Sequence, residues 1–384
     1  MTDKKFALFE LGFRPFYLLA AFWSIFTIIE WLLELKGIGI RQFNFIPGMQ
    51  WHAHEMIFGF AATVVTGFAL TAVRAWTGLD TPKSIPLLLL TLLWIIGRIG
   101  ALTGSILIVF DIIFLPIVAL ITGRLLLKRK MYRNLFLPFI LTTLGILNAG
   151  FYLSGLVFLN TDSNILLFAS LYLIVMIEIM IGNRIIPSFT ANAVIGLSQF
   201  RNATLTKLTI MSSALTFLCI ITGFNGIVSS VACFVTAFMH SILLWGWRPL
   251  ATQGKPLLWI LHISYGWIPV GFLLMGLSHL GIMSIYPALH VFGIGVTGGL
   301  IISMITRTAL GHTGRPLKIG SIELASYLCI QGALIVWLLS GLSNNSWFYP
   351  LLVVAGALWC TTFGLYIYKY APLLIYRRPD GKSG

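Results

Sequence analysis

Long apolar runs recur along the chain, and they lack the two-residue alternation of a half-buried strand. Runs of this length, broken by Pro, Gly and basic residues, predict membrane-spanning helices. Twelve are expected, at residues 16–35, 53–73, 85–103, 106–127, 135–158, 165–187, 205–223, 226–247, 257–279, 284–306, 322–341 and 347–369. Each is about long enough to cross ~30 Å of hydrocarbon at about 1.5 Å per residue. Thr81-Pro82, Gly104, Gly254-Lys255-Pro256 and Gly314-Arg315-Pro316 mark joints between them. The expected fold is an all-α polytopic bundle, a single transmembrane domain over residues 1–384 with short loops and no soluble domain.

Composition agrees. Of 384 residues, 58% are hydrophobic and 9% charged, and mean hydropathy is +0.94. A soluble surface needs about 25% charged residues. The formal net charge of +14 follows the loops and gives no sign of a nucleic-acid partner. All but three of the 25 Lys and Arg (Lys36, Arg41 and Arg98 are the exceptions) lie in the N-terminal segment, in or beside the connections after even-numbered spans, or toward the C-terminus. The Lys128-Arg129-Lys130 run is the densest. By the positive-inside rule both termini are expected in the cytoplasm, with the basic loops against anionic lipid. The first apolar run continues past its Ala20-Ala21 stretch and is expected to be a retained helix. No phosphate-cradling glycine loop appears. Cys219, Cys233, Cys329 and Cys360 are scattered, without C-x-x-C, and are expected to be small buried hydrophobes.

The chemistry lies in polar residues placed in the apolar runs. Five of seven histidines fall in or at the mouth of a span: His52, His54, His240, His262 and His290. Ionisable groups there are costly, and imidazole is a common metal ligand, so a buried metal or haem centre is the leading expectation. The orientation sorts them by depth. His52, His54 and His290 lie toward the outer face. His240 and His262 lie toward the cytoplasmic face, roughly 8–11 Å deep, on consecutive antiparallel helices. They are candidates for axial haem ligands or for a hydrogen-bonded core pair. His52 and His54 point about 200° apart on a continuous helix, so sharing one metal requires an unwound first turn. Glu55 stands beside them as an outer-sphere acceptor or proton acceptor. The spacing from His54 to Thr77-Gly78 recurs from His290 to Thr313-Gly314.

Other charges need partners too. Arg98 and Asp111 flank the 103–105 turn at matching depth and predict an ion pair. Glu178, mid-depth in the sixth span, suits a proton relay or a hydrogen-bonded structural carboxyl. Arg14 and Arg184 lie at the cytoplasmic interface, where snorkelling to lipid phosphate competes with clamping haem propionates. Arg307 and Arg315 bracket His312 in a basic loop that could also meet propionates. His279 is expected at a solvated helix end.

Several strings together resemble the NnrS family: Gly12-Phe-Arg-Pro-Phe16; Trp51-His-Ala-His-Glu-Met56 with Gly59-Phe60; Gly182-Asn-Arg-Ile-Ile-Pro187; Pro256 to His262 with Tyr265 and Trp267; and His290 through Arg315. They run in order over residues 10–320. The resemblance implies a polytopic bacterial inner-membrane protein containing haem b and copper, tied to nitric oxide metabolism and relief of nitrosative stress. It places His52, His54, His262, His290 and His312 on family strings, and His240 on a looser one. The family string has two basic residues after Gly182; here Asn183 precedes Arg184. The activity so implied is binding or reduction of nitric oxide at a histidine-held centre, with electrons from a donor such as quinol and Glu55 and Glu178 as proton carriers. The alternatives are a transporter built on broken helices and a non-catalytic haem-based sensor of the gas.

Overall fold

The fold is that of a computed structural model, in which residues 6–41, 46–155, 162–224, 226–342 and 345–381 are described. Among the described residues, twelve helices are long and apolar enough to span a membrane. They are α1 Phe13–Glu34, α2 Gly48–Thr77, α3 Ile85–Thr103, α4 Ile108–Lys128, α5 Phe136–Gly155, α6 Ser163–Ala193, α7 Ala203–Ile221, α8 Ile227–Gly246, α9 Pro256–His279, α10 Tyr286–His312, α11 Ser321–Leu342 and α12 Asn345–Ile375. No strand occurs among the described residues; Phe6 and Tyr376 form an isolated bridge. All twelve expected spans are present. Residues 156–158 of the fifth expectation lie outside the described residues.

Lipid offers no hydrogen bonds, so each span must satisfy its own backbone. The exposed positions are accordingly apolar, as at Phe22, Phe139, Ile146 and Phe238, each at least 60% exposed. Polar groups turn inward. Thr71, Thr91, Thr122 and Thr190 each return a hydroxyl to the carbonyl four residues back, at 2.8–2.9 Å. Glycines with positive φ end α2 and α3: Gly78 (φ 66°) and Gly104 (φ 65°) donate to the carbonyls of Arg74 and Gly100.

The helices cluster into two compact units. The first holds Met1–Ser170, Ile305–Leu317 and Phe363–Gly384; the second holds Leu171–Met304 and Lys318–Thr362. In the first, glycine sets the approach of α3 to α4. A Cβ on Gly97 would stand 2.8 Å from the Asp111 backbone, and one on Gly100 would fall on the backbone of Leu107 and Ile108. Neither obstacle is a flexible side-chain tip. Gly100→Ala should therefore destabilise the protein by about 1–3 kcal/mol, read as a lowered unfolding midpoint in detergent.

Two spans are not uniform α-helix. In α2, Gly48–His54 is α-helical, Glu55–Ala61 is a π-helix, and Ala62–Thr77 returns to α. In α10, Tyr286–His290 is α-helical, Val291–Gly298 is π, and Gly299–His312 is α. Each π segment begins directly after a histidine, and π segments concentrate at functional sites. These are also the most buried spans: 83% and 78% of their most apolar stretches are buried, against 56% or less elsewhere. Each π segment also packs a glycine against a tryptophan of the preceding span. An added Cβ would lie 2.5 Å from Trp23 at Gly59 and 2.7 Å from Trp267 at Gly295. The repeated spacing seen in the sequence thus corresponds to a repeated local structure.

Candidate functional site

In the first unit, polar side chains from α1 to α5 converge behind His54, which is fully buried, as are Glu55, Arg98, Asp111, Asn148 and Tyr152. His54 Nδ1 lies 2.7 Å from Glu55 Oε1, and Nε2 lies 2.8 Å from Asn148 Oδ1. Arg98 Nη1 donates to Glu55 Oε2 at 2.7 Å, and its Nη2 pairs with Asp111 Oδ1. Trp23 Nε1 donates to Glu55 Oε2 at 2.6 Å. Tyr152 OH and Asn148 Nδ2 donate to Asp111 Oδ2 at 2.9 and 3.1 Å. The expected Arg98–Asp111 pair is present, and it extends to Glu55, which therefore serves as a counter-ion to the guanidinium.

His52 goes elsewhere. Residues 48–54 are helical, so the unwound turn that would bring His52 and His54 to one metal does not form. Half-buried His52 stacks on Trp31 of α1, with centroids 5.1 Å apart and planes 21° apart, while His54 faces α3, α4 and α5.

In the second unit, α8 and α9 pack together, yet His240 and His262 have separate surroundings. His240 Nδ1 meets Tyr265 OH at 2.8 Å, and Nε2 meets Ser213 Oγ at 2.9 Å. Asn183 Nδ2 donates to the same phenol oxygen at 2.8 Å, so the phenol proton is directed at His240 Nδ1. Both nitrogens of His240, expected as a metal or haem ligand, are thus spent on protein partners. His262 differs. Its Nδ1 donates to the Leu258 carbonyl at 3.0 Å, and Nε2 has only a long 3.4 Å contact with Thr190 Oγ1, whose own proton goes to the Ile186 carbonyl.

His290 repeats this device. Nδ1 donates to the Tyr286 carbonyl at 2.9 Å, and the ring stacks on Trp337 of α11 at 3.7 Å. No described residue hydrogen-bonds its Nε2. Three residues on, the place a Cβ would take at Gly293 has nothing within 4 Å. Further along the π segment, Thr297 Oγ1 donates to Glu178 Oε2 at 3.0 Å. No cation lies against Glu178 among the described residues.

The arginines also separate. Arg14 is fully buried and does not snorkel. Its Nη1 donates to the carbonyls of Leu374, Tyr376 and Leu373 at 2.7, 3.0 and 3.4 Å, capping the negative end of α12. Arg184 is exposed, and Arg307 and Arg315 are half-buried. Arg315 Nη1 donates to the Thr313 carbonyl at 3.2 Å, and burial lowers its pKa from the ordinary arginine value. His312 sits with its ring 5.5 Å from Phe13, and half-buried His279 ends α9.

Asn148, Tyr152, Ser213, Thr297 and Trp337 were not expected from the sequence. Asn148 carried the clearest signal, an amide amid the apolar α5. A family model, described as NnrS protein, matches residues 7–378. The chain belongs to the NnrS family. Membership suggests a part in nitric oxide metabolism for this multi-pass membrane protein. No curated protein matches the chain. For an NnrS protein the relevant division is between histidines with an open nitrogen and histidines without one. His290 belongs to the first group, as do His262, whose Nε2 has one long contact, and His279 at the end of α9, whose Nε2 has no partner among the described residues; His54 and His240 belong to the second.

Proposed function

We propose that this NnrS-family protein binds haem b through His262 and His290 and takes up nitric oxide within a bacterial inner membrane, with both termini in the cytoplasm. The observation that carries the reading is the tautomer lock shared by the two rings. Each gives its Nδ1 proton to the carbonyl four residues back, which leaves the Nε2 lone pair for an external acceptor. Metal-binding histidines are usually held this way. The two rings lie at opposite ends of α9 and α10, roughly 20 Å apart at about 1.5 Å per residue, so they serve separate centres. Haem held at either site would supply an iron able to bind a diatomic gas.

The chain's own residues do the rest. The apolar helices exclude water and admit nitric oxide, which is small and apolar, from the lipid. Among the described residues Glu178 touches a hydroxyl and no cation, so it is best kept as the neutral acid and is the carboxyl placed to hold a proton. Reduction of a pair of nitric oxide molecules to nitrous oxide and water consumes two electrons and two protons. A quinol-class donor in the membrane suits the electrons. Glu55, tied to Arg98, is a poorer proton carrier. For copper, no group of three His, Cys, Asp or Glu among the described residues is placed to hold a metal ion, so the proposal is confined to haem.

Protein purified from haem-replete cells should show a Soret band that shifts when nitric oxide is added to the reduced form. A colourless preparation would remove the proposal. A Soret band indifferent to nitric oxide would leave haem and remove the gas.

A further inference from the structure

We propose that His54 is a protonated counter-ion that neutralises the buried charge cluster of α2 to α5, and that it is not a metal or haem ligand. The polarity of the hydrogen bonds leads there. Asn148 turns its amide nitrogen to Asp111, whose side-chain and main-chain oxygens lie 3.1 and 3.4 Å away. Reversing the amide would set its oxygen against those oxygens, so Asn148 Oδ1 faces His54 and accepts. Nε2 of His54 therefore carries a proton. Nδ1 faces Glu55 Oε1 at 2.7 Å, and Glu55 Oε2 already accepts from Arg98 and Trp23. Held by those two donors, Glu55 is the ionised carboxylate, so its Oε1 accepts and the proton of this contact rests on Nδ1. Both ring nitrogens then donate, and neither has a lone pair for iron or copper.

Charge leads to the same answer. The groups facing the ring are Glu55 on its own helix, Asp111 on α4 at 3.7 Å, and Asn148 and Tyr152 on α5; Arg98 of α3 bridges both carboxylates. The other guanidinium acting on Glu55, that of Arg41, is already paired with Glu34, so one guanidinium and two carboxylates remain and a positive His54 brings the buried cluster to neutrality. An uncompensated charge in this setting is strongly unfavourable. The ring also lies between aromatic faces, 4.8 Å from both Phe58 and Phe151 and 5.1 Å from Tyr152, which suits a cation. The comparison with α10 sharpens the contrast. His290 stands at the same place before its π segment, but Val291 follows it where Glu55 follows His54, and its Nε2 stays open. The same local structure serves once as an ionic lock and once as an available ligand.

The test uses the full chain in detergent with H54A, D111N and the double variant H54A/D111N. H54A strands one negative charge and should lower the unfolding midpoint by roughly 10 °C. D111N in the same chain removes that charge and should recover at least half of the loss. Haem and copper per folded protein should match wild type in the double variant. An unchanged midpoint in H54A would overturn the proposal. So would a double variant no more stable than H54A, or one that folds but has lost bound haem or copper. Should H54A not fold at all, recovery of folded double variant decides alone. The thermal comparison stands even where the wild type carries no haem, so its failure is distinct from failure of the functional reading.

Discussion

Arg98→Met is expected to yield little or no folded protein. Arg98 bridges Glu55 on α2 and Asp111 on α4 while itself 1% exposed. Methionine keeps much of the volume but leaves two buried carboxylates to one imidazole. Breaking a buried pair by removing one partner costs about 3–5 kcal/mol, against a total stability of about 5–15 kcal/mol. The measurement is the yield of monodisperse protein and its unfolding midpoint. Arg98→Met with Glu55→Gln restores neutrality and should recover part of the loss; no recovery would mean that the guanidinium acts by shape and not by charge. The exposed Lys83–Asp80 pair, equally short at 2.7 Å, makes the control. Water screens it, and Lys83→Ala should leave the midpoint unchanged.

His290→Ala and His262→Ala should each remove a distinct part of the haem spectrum, with an affinity loss of about tenfold or more. His240→Ala should leave the spectrum in place. The difference lies in which nitrogens are already spoken for. His240 accepts the Tyr265 phenol proton and bonds Ser213, so its loss loosens the packing of α7, α8 and α9 and removes no ligand. Depth along the span, which groups His240 with His262, would give these two variants the same outcome. Spectra of the three purified variants, normalised to folded protein, separate the two sortings. Identical spectra in all of them would end the ligand assignment.

Much of the fold is legible in the sequence. A helix that must hydrogen-bond itself in lipid advertises its length as an apolar run, and twelve such runs became twelve spans. The Arg98–Asp111 pair was legible because a two-helix hairpin with a tight turn fixes the depth of its residues. The third member, Glu55, was not, since it arrives from another helix. The same limit explains His54. The sequence shows an imidazole near a metal-friendly string, and only the approach of Asn148 and Tyr152 from α5 shows that its nitrogens are committed. The early start of α2 at Gly48 had a similar effect: it made residues 48–54 helical and sent His52 to Trp31.

The sequence by itself determined that this is a twelve-span membrane protein and which polar residues enter the bilayer. Periodicity and hydropathy are local properties that a single strand of text records. The tertiary structure alone decided which of those residues meet, and through that the protonation and the free lone pairs of each histidine. A ring's chemistry depends on the atoms within about 3 Å of its two nitrogens, and those atoms come from helices far away along the chain.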